Sequence, residues 1–157
     1  MRVLFVCLGN ICRSAMAEGI LQHKITKAGI EAQLSCDSAG FDRRTPGWSA
    51  DERAVATARK HGIGFATTAR RVRRDDYKTF SLILAMDRSN MWSLLHECPE
   101  HLQGKLHMMR EYDQPPEPEG EIEDPYHGKM ADFETVFDLL DRCTESLIAR
   151  HAPSTPG

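Results

Sequence analysis

The chain has 157 residues, the length of a single domain, and can bury roughly two-thirds of the surface that its unfolded form exposes. Hydrophobic residues make up 41% of it and charged residues 27%, and no run approaches the roughly 20 apolar residues of a membrane span. The formal net charge of -3 argues against a protein that binds nucleic acid through excess basic residues. We therefore expect one soluble domain with neither nucleic-acid nor membrane partners.

The five cysteines indicate a reducing compartment. Their number is odd, no two have the C-x-x-C spacing of a zinc site, and a chain of this length does not need disulfides to fold. The apolar run after Arg2 covers only residues 3–6, which is too short for the core of a secretory signal. We therefore expect a cytoplasmic protein with reduced thiols.

Strands alternate with helices along the first half of the chain. The β-prone run 2–7 is typical of a strand buried on both faces of a parallel sheet. Residues 14–28 place apolar side chains three and four positions apart, and Gly29 suits the C-terminal cap of that helix. A short strand over 33–39 and an alanine-rich helix over 51–61 repeat the pattern.

The second half continues the alternation. It contains a buried strand over 80–86, a helix over 89–96 and a fourth strand over 105–109. A loop rich in proline and glutamate follows over 111–128, and residues 133–147 carry the apolar stripe of a last helix. These elements predict an α/β fold of the Rossmann-like kind. Its open four-stranded parallel sheet has helices on both faces and binds ligands beyond the carboxyl ends of the strands.

Two further segments are expected at the surface. The basic segment 70–74 contains four arginines and is followed by Asp75 and Asp76, which favours a solvated surface over a partner-docking patch. Residues 151–157 contain two prolines and no apolar anchor. We therefore predict a domain over 1–150 followed by a flexible C-terminal tail.

The turn between the first strand and the first helix is suited to phosphate. It runs from Cys7 to Ser14, and its successive amide groups can converge on one anion at the helix N-terminus. Gly9 permits backbone angles closed to other residues, and Asn10 tolerates the left-handed conformation. Arg13 can bind two phosphate oxygens with its planar guanidinium.

Cys7 is the candidate nucleophile, because the helix N-terminus and Arg13 both favour a thiolate at this position. Ser14 can add a hydroxyl donor to the sulfur. For the C-x5-R spacing alone, the alternative is a small buried Cys7 with no chemical role and a surface Arg13. The buried strand before the cysteine, the Gly and Asn between, and the hydroxyl after the arginine favour the nucleophile.

A thiolate that attacks phosphorus needs an acid to protonate the departing oxygen. Asp124 is the candidate, because Pro125 restrains it towards extended geometry on a long loop and Tyr126 offers an aromatic wall beside it. An Asp-Pro pair taken by itself is more often only a turn.

These motifs resemble the low-molecular-weight protein tyrosine phosphatases. The resemblance rests on V-L-F-V-C-L-G-N-I-C-R-S-A-M-A-E at 3–18, I-L-A-M-D-R-S-N at 83–90 and D-P-Y-H-G at 124–128, and it covers nearly the whole chain. It implies the phosphotyrosine phosphatase I-like fold and hydrolysis of phosphotyrosine and aryl phosphates through a phosphocysteine on Cys7. In that reaction Arg13 binds phosphate and Asp124 acts as acid and then as base.

The resemblance also implies the remaining parts of the site. It implies no metal and no other cofactor, a phosphotyrosine-containing protein as substrate, and inorganic phosphate or other oxyanions as inhibitors. The chain is expected as a monomer or a weakly self-associating one. Cys12 is expected to form a reversible disulfide with Cys7, and Asn10, Ser14 and Ser38 to support the loop. The substrate-binding residues expected are Leu8, Gly9, Asn10, Ile11, Cys12, Ser14, Arg44 and Tyr126.

The sequence departs from the family where substrates are recognised. Arg44 and Thr45 stand where relatives often have an aromatic residue and a histidine, and Trp48 is displaced. We therefore expect one aromatic wall to be missing, with Tyr126 opposite a cationic Arg44 that favours acidic peptides. Thr67 stands in place of a loop-supporting histidine, and its hydroxyl is expected to replace part of that bonding.

Three other functions remain open. Thiol-dependent arsenate reduction needs a relay of cysteines, but the segment 86–99 holds only Cys98. Phosphoarginine hydrolysis is found in relatives with threonine at the position of Ile11. A catalytically inactive phosphate-binding adaptor is the third alternative, although nucleophile, arginine and acid are all present.

Overall fold

A computed structural model describes residues 1–152 and contains one four-stranded parallel sheet with strand order β2-β1-β3-β4. The strands are β1 (Arg2–Cys7), β2 (Ser35–Gly40), β3 (Leu82–Ala85) and β4 (Leu106–Met108). The α/β fold and the four strands predicted from the sequence are confirmed. The β1 strand is central, and both of its neighbours lie parallel to it, as its continuous apolar sequence indicates.

Helices cover both faces of the sheet. They are α1 (Arg13–Ala28), α2 (Glu52–Lys60), α3 (Asp76–Thr79), α4 (Arg88–Glu97) and α5 (Met130–His151), with 3-10 turns at Glu100–Lys105 and Met109–Tyr112. Side chains of β1 alternate between two apolar clusters. Val3 and Phe5 pack with α1, α2 and α5, whereas Leu4 and Val6 pack on the face of α3 and α4. The short α3 and the 3-10 turns were not predicted, because they lack an apolar period of their own.

The folded domain extends beyond the boundary predicted at residue 150. His151 still belongs to α5 and its Nε2 lies 2.7 Å from the Tyr112 hydroxyl, while Ala152 is buried. The Arg150 guanidinium also packs over the Tyr112 ring, at 4.3 Å. These contacts and the buried Ala152 anchor the helix end, and a single small alanine gave the sequence pattern too weak a signal to reveal it. The rest of the predicted tail, 153–157, lies outside the described residues.

Within residues 1–152, no helix combines the length and the apolar character that crossing a membrane requires.

Candidate active site

The turn predicted to bind phosphate lies at the carboxyl edge of the sheet, between the end of β1 and the start of α1. Asn10 has the left-handed conformation expected of it, with φ 57°. Gly9 does not have a positive φ, and a Cβ there would meet only ordinary contacts, so the special backbone role predicted for Gly9 is wrong. The glycine that the turn requires is Gly40, where a Cβ would lie 2.6 Å from the carbonyl oxygen of Leu8.

Two donors of the turn are directed at the sulfur of Cys7. The Asn10 amide nitrogen lies 3.3 Å from Sγ, and the Ser14 hydroxyl oxygen lies 3.0 Å from it. Because the Ser14 oxygen already accepts a hydrogen bond from the Asn10 side chain, its own hydrogen is free to point to the sulfur. A negative charge on Cys7 would therefore be stabilised by donors already in place.

The Asn10 side chain connects the turn to the rest of the protein. Its Nδ2 donates to Ser14 Oγ at 2.8 Å and to Ser38 Oγ at 2.9 Å, and its Oδ1 accepts from the Arg70 amide at 3.0 Å. Ser38 in turn donates to Glu18 at 2.7 Å. The structure thus brings Asn10, Ser14 and Ser38 together, and it adds Glu18 and Arg70, which sequence reasoning missed.

Glu18 is the titratable group at the end of this chain of hydrogen bonds. Its pKa is raised to about 7, chiefly by burial and also by the neighbouring Asp37, which together outweigh the lowering by the Ser38 hydrogen bond and Arg70. The expectation that Thr67 replaces part of a histidine's bonding is wrong, because its buried hydroxyl has no hydrogen-bond partner among the described residues. Arg70, rather than Thr67, supports this side of the network.

Arg13 is buried beneath the turn, with 2% of its surface exposed. Its Nη1 donates to Asp87 at 2.7 Å and to the Ile122 carbonyl at 2.9 Å, which fixes the orientation of the guanidinium. Burial acts to lower its pKa, but the nearby Cys7 and the carboxylates of Asp87 and Asp124 outweigh that effect and raise it. Its Nε is buried without a partner in residues 1–152, so this edge of the guanidinium is available to an anion.

Asp124 lies at the entrance, and its Oδ2 is 3.6 Å from Arg13 Nη2. Its other oxygen accepts from the Tyr126 amide at 3.1 Å, which holds the carboxylate at the start of a tight turn. The loop is fixed from behind by the fully buried Ile122, whose amide donates to the Met86 carbonyl at 2.8 Å. Arg53, which sequence reasoning did not assign, donates to the Tyr126 carbonyl at 2.9 Å.

A cavity of about 310 Å³ opens above the sulfur. Both Trp48 and Tyr126 line it, so the expectation of a missing aromatic wall is wrong. The prediction was wrong because it considered only the position of Trp48 along the chain. The 41–48 loop turns back so that Trp48 lies on the cavity side, where its carbonyl accepts a hydrogen bond from the Ala69 amide. The lining residues are Cys7, Leu8, Gly9, Ile11, Cys12, Asp42, Arg44, Thr45, Trp48, Asp124, Tyr126 and His127.

Arg44 lines the cavity as expected, but its charge is paired. Its guanidinium donates to both oxygens of Asp42, at 3.1 and 2.9 Å, and these hydrogen bonds lower the pKa of Asp42. The cationic wall expected opposite Tyr126 is therefore an ion pair. Thr45 is buried and donates to the Gly9 carbonyl at 2.7 Å, which ties the loop to the turn.

Cys12 lies in the cavity wall and is held as a neutral thiol. Burial raises its pKa far above the usual value, and the negative charges of Asp51 and Cys7 raise it further.

His61 has contacts that its position in the sequence did not reveal. Its ring stacks on Phe137 with centroids 4.0 Å apart, and its Nε2 lies 2.8 Å from Glu134. His61, Glu134 and Asp138 each place one potential metal-ligand atom within 4.8 Å of the other two. The Lys60 ammonium, 3.9 Å from Glu134, already supplies a positive charge at this surface.

Comparisons with known proteins agree with this geometry. The chain matches the family model described as low molecular weight phosphotyrosine protein phosphatase over residues 2–153. Relatives of that description from Sus scrofa and Gallus gallus are 37% and 38% identical over 150 residues, which is 94% of this chain and 94% of each relative. A protein tyrosine phosphatase structure from Entamoeba histolytica gives a TM-score of 0.90 at 36% identity over 96% of both chains. The low molecular weight enzyme of T. tengcongensis gives 0.85 at 35% identity, over 96% of this chain and 99% of that one.

Proposed function

The chain belongs to the low molecular weight phosphotyrosine protein phosphatase family, and we propose on this basis that it hydrolyses phosphotyrosine in proteins through a phosphocysteine on Cys7. One observation carries the proposal. Cys7 and Asp124 line one cavity of about 310 Å³, and the buried Arg13 guanidinium lies beside it, with Nη2 3.6 Å from Asp124 and Nε unpartnered among residues 1–152.

In the first step the Cys7 thiolate attacks phosphorus, so that an S–P bond forms as the bond to the phenolic oxygen breaks. Asp124, protonated at this stage, gives its proton to that oxygen, and the tyrosine hydroxyl leaves. The Asn10 amide and the Ser14 hydroxyl support the thiolate before attack.

Arg13 holds the phosphoryl group throughout. Because Asp87 and the Ile122 carbonyl occupy Nη1, the donors left for phosphate oxygens are Nε and Nη2, which lie on one edge and suit two parallel hydrogen bonds. Such a pre-set guanidinium stabilises the charge spread over the oxygens in the transition state. Inorganic phosphate and other oxyanions would compete for the same donors.

In the second step the Asp124 carboxylate takes a proton from water, whose oxygen attacks phosphorus. The S–P bond then breaks, which releases phosphate and restores the Cys7 thiolate. Asp124 is suited to both roles because 41% of its side chain is exposed, so water can reach it.

The cavity walls favour a flat aryl ester. Trp48 and Tyr126 present aromatic surface on the rim, and Ile11 narrows the floor with an apolar side chain. Arsenate reduction has less support, since Cys98 is packed in the apolar cluster on the α4 face and only Cys7 and Cys12 line the cavity. Phosphoarginine hydrolysis remains an outcome for the test.

We further propose that the enzyme works in a reducing cytoplasm, as a monomer or a weakly self-associating protein. All five cysteines are free, which suits such a compartment. If a peroxide oxidises Cys7 to a sulfenic acid, the Cys12 thiol can attack that sulfur, and a disulfide forms as water leaves.

Turnover of three substrates tests the proposal: a small aryl phosphate, a phosphotyrosine peptide and a phosphoarginine peptide. We expect the first two to be hydrolysed without added metal, Cys7→Ser to be inactive, and Asp124→Asn to lose about 10²- to 10⁴-fold in kcat. Cys36→Ser, at a half-buried cysteine that does not line the cavity, is the matched control and should keep activity. Turnover by Cys7→Ser would reject the covalent mechanism, and preference for phosphoarginine would reject the substrate.

A further inference from the structure

Four exposed arginines beside the cavity have no ion-pair partner among residues 1–152. They differ in this from Arg44, which is paired with Asp42, and from Arg70, which is paired with Asp37 and Asp76. We call the four together the basic rim: Arg43, Arg71, Arg73 and Arg74.

Backbone pairing fixes Arg71 next to the loop that forms one wall of the cavity, and Arg43 belongs to that loop. Arg71 pairs in parallel with Gly40, the residue that leads into the loop 41–48. The far end of that loop is fixed on the same segment, since the Gly47 amide donates to the Ala69 carbonyl at 2.8 Å and the Ala69 amide donates to Trp48. Both ends of the loop that forms one cavity wall therefore rest on residues 69–72.

The side chains of Arg71 and Arg73 face solvent. They flank Val72, which packs against the apolar cluster on the α4 face, and side chains alternate along extended backbone. Asp76 does not neutralise them, because its buried carboxylate binds the Arg70 guanidinium at 3.0 Å and the Arg73 amide at 2.7 Å. Asp75 leaves one exposed negative charge against four positive ones.

The loop segment that leads to Asp124 carries the opposite charge, although its glutamates lie outside the cavity lining. The loop that carries Asp124 has four exposed glutamates within residues 117–123, and one of them, Glu119, is paired with Arg88. A phosphopeptide that crosses the cavity would meet positive charge on one side and negative charge on the other. Charges arranged in this way orient a ligand before contact.

We propose that the basic rim binds carboxylate side chains on one flank of the phosphotyrosine in the substrate. This inference rests on the proposed function, because it takes the phosphotyrosine ring in the cavity as the fixed point. Arginine suits the task, since its planar guanidinium binds a carboxylate through two parallel hydrogen bonds. Exposed pairs of this kind each change binding by about 1.5- to 5-fold, so two pairs give a several-fold preference.

Three phosphotyrosine peptides test the basic rim, with aspartates on the N-terminal flank only, on the C-terminal flank only, or replaced by asparagines. Each peptide is assayed with three proteins: wild type, a rim variant that combines Arg71→Glu and Arg73→Glu, and a control variant that combines Lys27→Glu and Arg59→Glu. The control makes the same change in net charge at exposed helix positions. Ratios of kcat/KM between peptides are taken within each variant, so that a general loss of activity cancels.

We expect wild type and control to prefer one acidic flank several-fold at low salt, with the preference shrinking at high salt. The rim variant should lose or reverse that preference. Equal ratios for the three peptides, or equal loss in rim and control variants, would overturn the inference alone. Failure to hydrolyse any of the peptides would instead overturn the proposed function.

Discussion

The floor and the rim of the active site are built differently. In the floor, Cys7, Asn10 and Arg13 are each at most 2% exposed and are held by hydrogen bonds from several elements. On the rim, which here means the aromatic side chains at the mouth of the cavity and not the arginines of the basic rim, Trp48 is 48% and Tyr126 39% exposed. The contrast teaches that the groups for chemistry are fixed before substrate arrives, while the groups for recognition remain in contact with solvent and with the substrate's surroundings.

This contrast has an energetic consequence. A buried polar group that loses its partner costs about 1 to 3 kcal/mol, whereas an exposed ion pair is worth about 0 to 1 kcal/mol. Changes in the floor should therefore affect stability and kcat together, and changes on the rim should affect KM. The following predictions test that division.

The largest effect is expected for Arg13→Lys in the floor. An ammonium cannot contact Asp87 and the Ile122 carbonyl while still presenting two parallel donors to phosphate. We expect kcat/KM for an aryl phosphate to fall by about 10²- to 10³-fold. The control is Arg53→Lys, which changes the arginine that holds the rim residue Tyr126 and should cost less than about tenfold. Similar losses in both variants would contradict the division.

Asn10→Ala should destabilise the protein and slow the reaction together. It removes hydrogen bonds to Ser14, Ser38 and the Arg70 amide and places alanine at φ 57°. We expect a loss of about 2 to 4 kcal/mol in the free energy of unfolding, measured with urea, along with a lower kcat. Asn10→Gly separates the causes, because glycine tolerates the backbone angle but still lacks the hydrogen bonds. Full stability in the alanine variant would mean that the network is dispensable.

Glu18, which lies beneath the floor, should make the stability of the protein depend on pH. Its pKa is raised to about 7 by burial, so from about pH 4.5 to 7 the unfolded chain ionises Glu18 while the folded protein keeps it protonated. Its contribution to stability is therefore present in full below about pH 4.5 and is lost as pH rises to 7. Glu18→Gln keeps an oxygen acceptor for Ser38 and should remove this loss, which we place at about 1 to 2 kcal/mol because the carboxyl keeps some solvent contact.

Unfolding curves for Glu18→Gln and for the exposed control Glu31→Gln, each measured at pH 5 and pH 7.5, check this prediction. The difference in the free energy of unfolding between Glu18→Gln and wild type should shift in favour of the variant from pH 5 to pH 7.5. The difference between Glu31→Gln and wild type should stay the same. An identical pH dependence in wild type and Glu18→Gln would exclude Glu18 as the titrating group.

The smallest effect is expected on the rim, from Trp48→Ala. The indole lines the cavity but remains half exposed, so its loss should raise KM for an aryl phosphate by about 2- to 10-fold and leave kcat and stability nearly unchanged. Tyr126→Ala is the matched change on the other wall. A large loss of kcat in Trp48→Ala would show that the rim takes part in chemistry, which would break the comparison.

Much of the floor could be predicted from the sequence because its causes are local. The buried run 2–7, the turn after Cys7 and the helix beginning at Arg13 are adjacent in the chain, and the types of residue at each position specify the geometry. Glu18 and Arg70 were missed because they meet the network through Ser38 and Asn10, 20 and 60 residues away. No local period connects such positions.

The sequence by itself determined the α/β alternation, the phosphate-binding turn and the candidates Cys7, Arg13 and Asp124, since short-range patterns specify strands, helices and a strand-to-helix turn. Only the tertiary structure decided which side chains surround the cavity and which charges there are paired. It returned Trp48 to the cavity, paired Arg44 with Asp42, and buried Asp76 against Arg70 so that the neighbouring arginines stay unpaired among residues 1–152. Arg44 and Asp42 are only two residues apart and Arg70 and Asp76 only six, but whether such neighbours pair depends on the backbone conformation of their segments and on what else packs there. The spacing of residues along the chain does not contain that information.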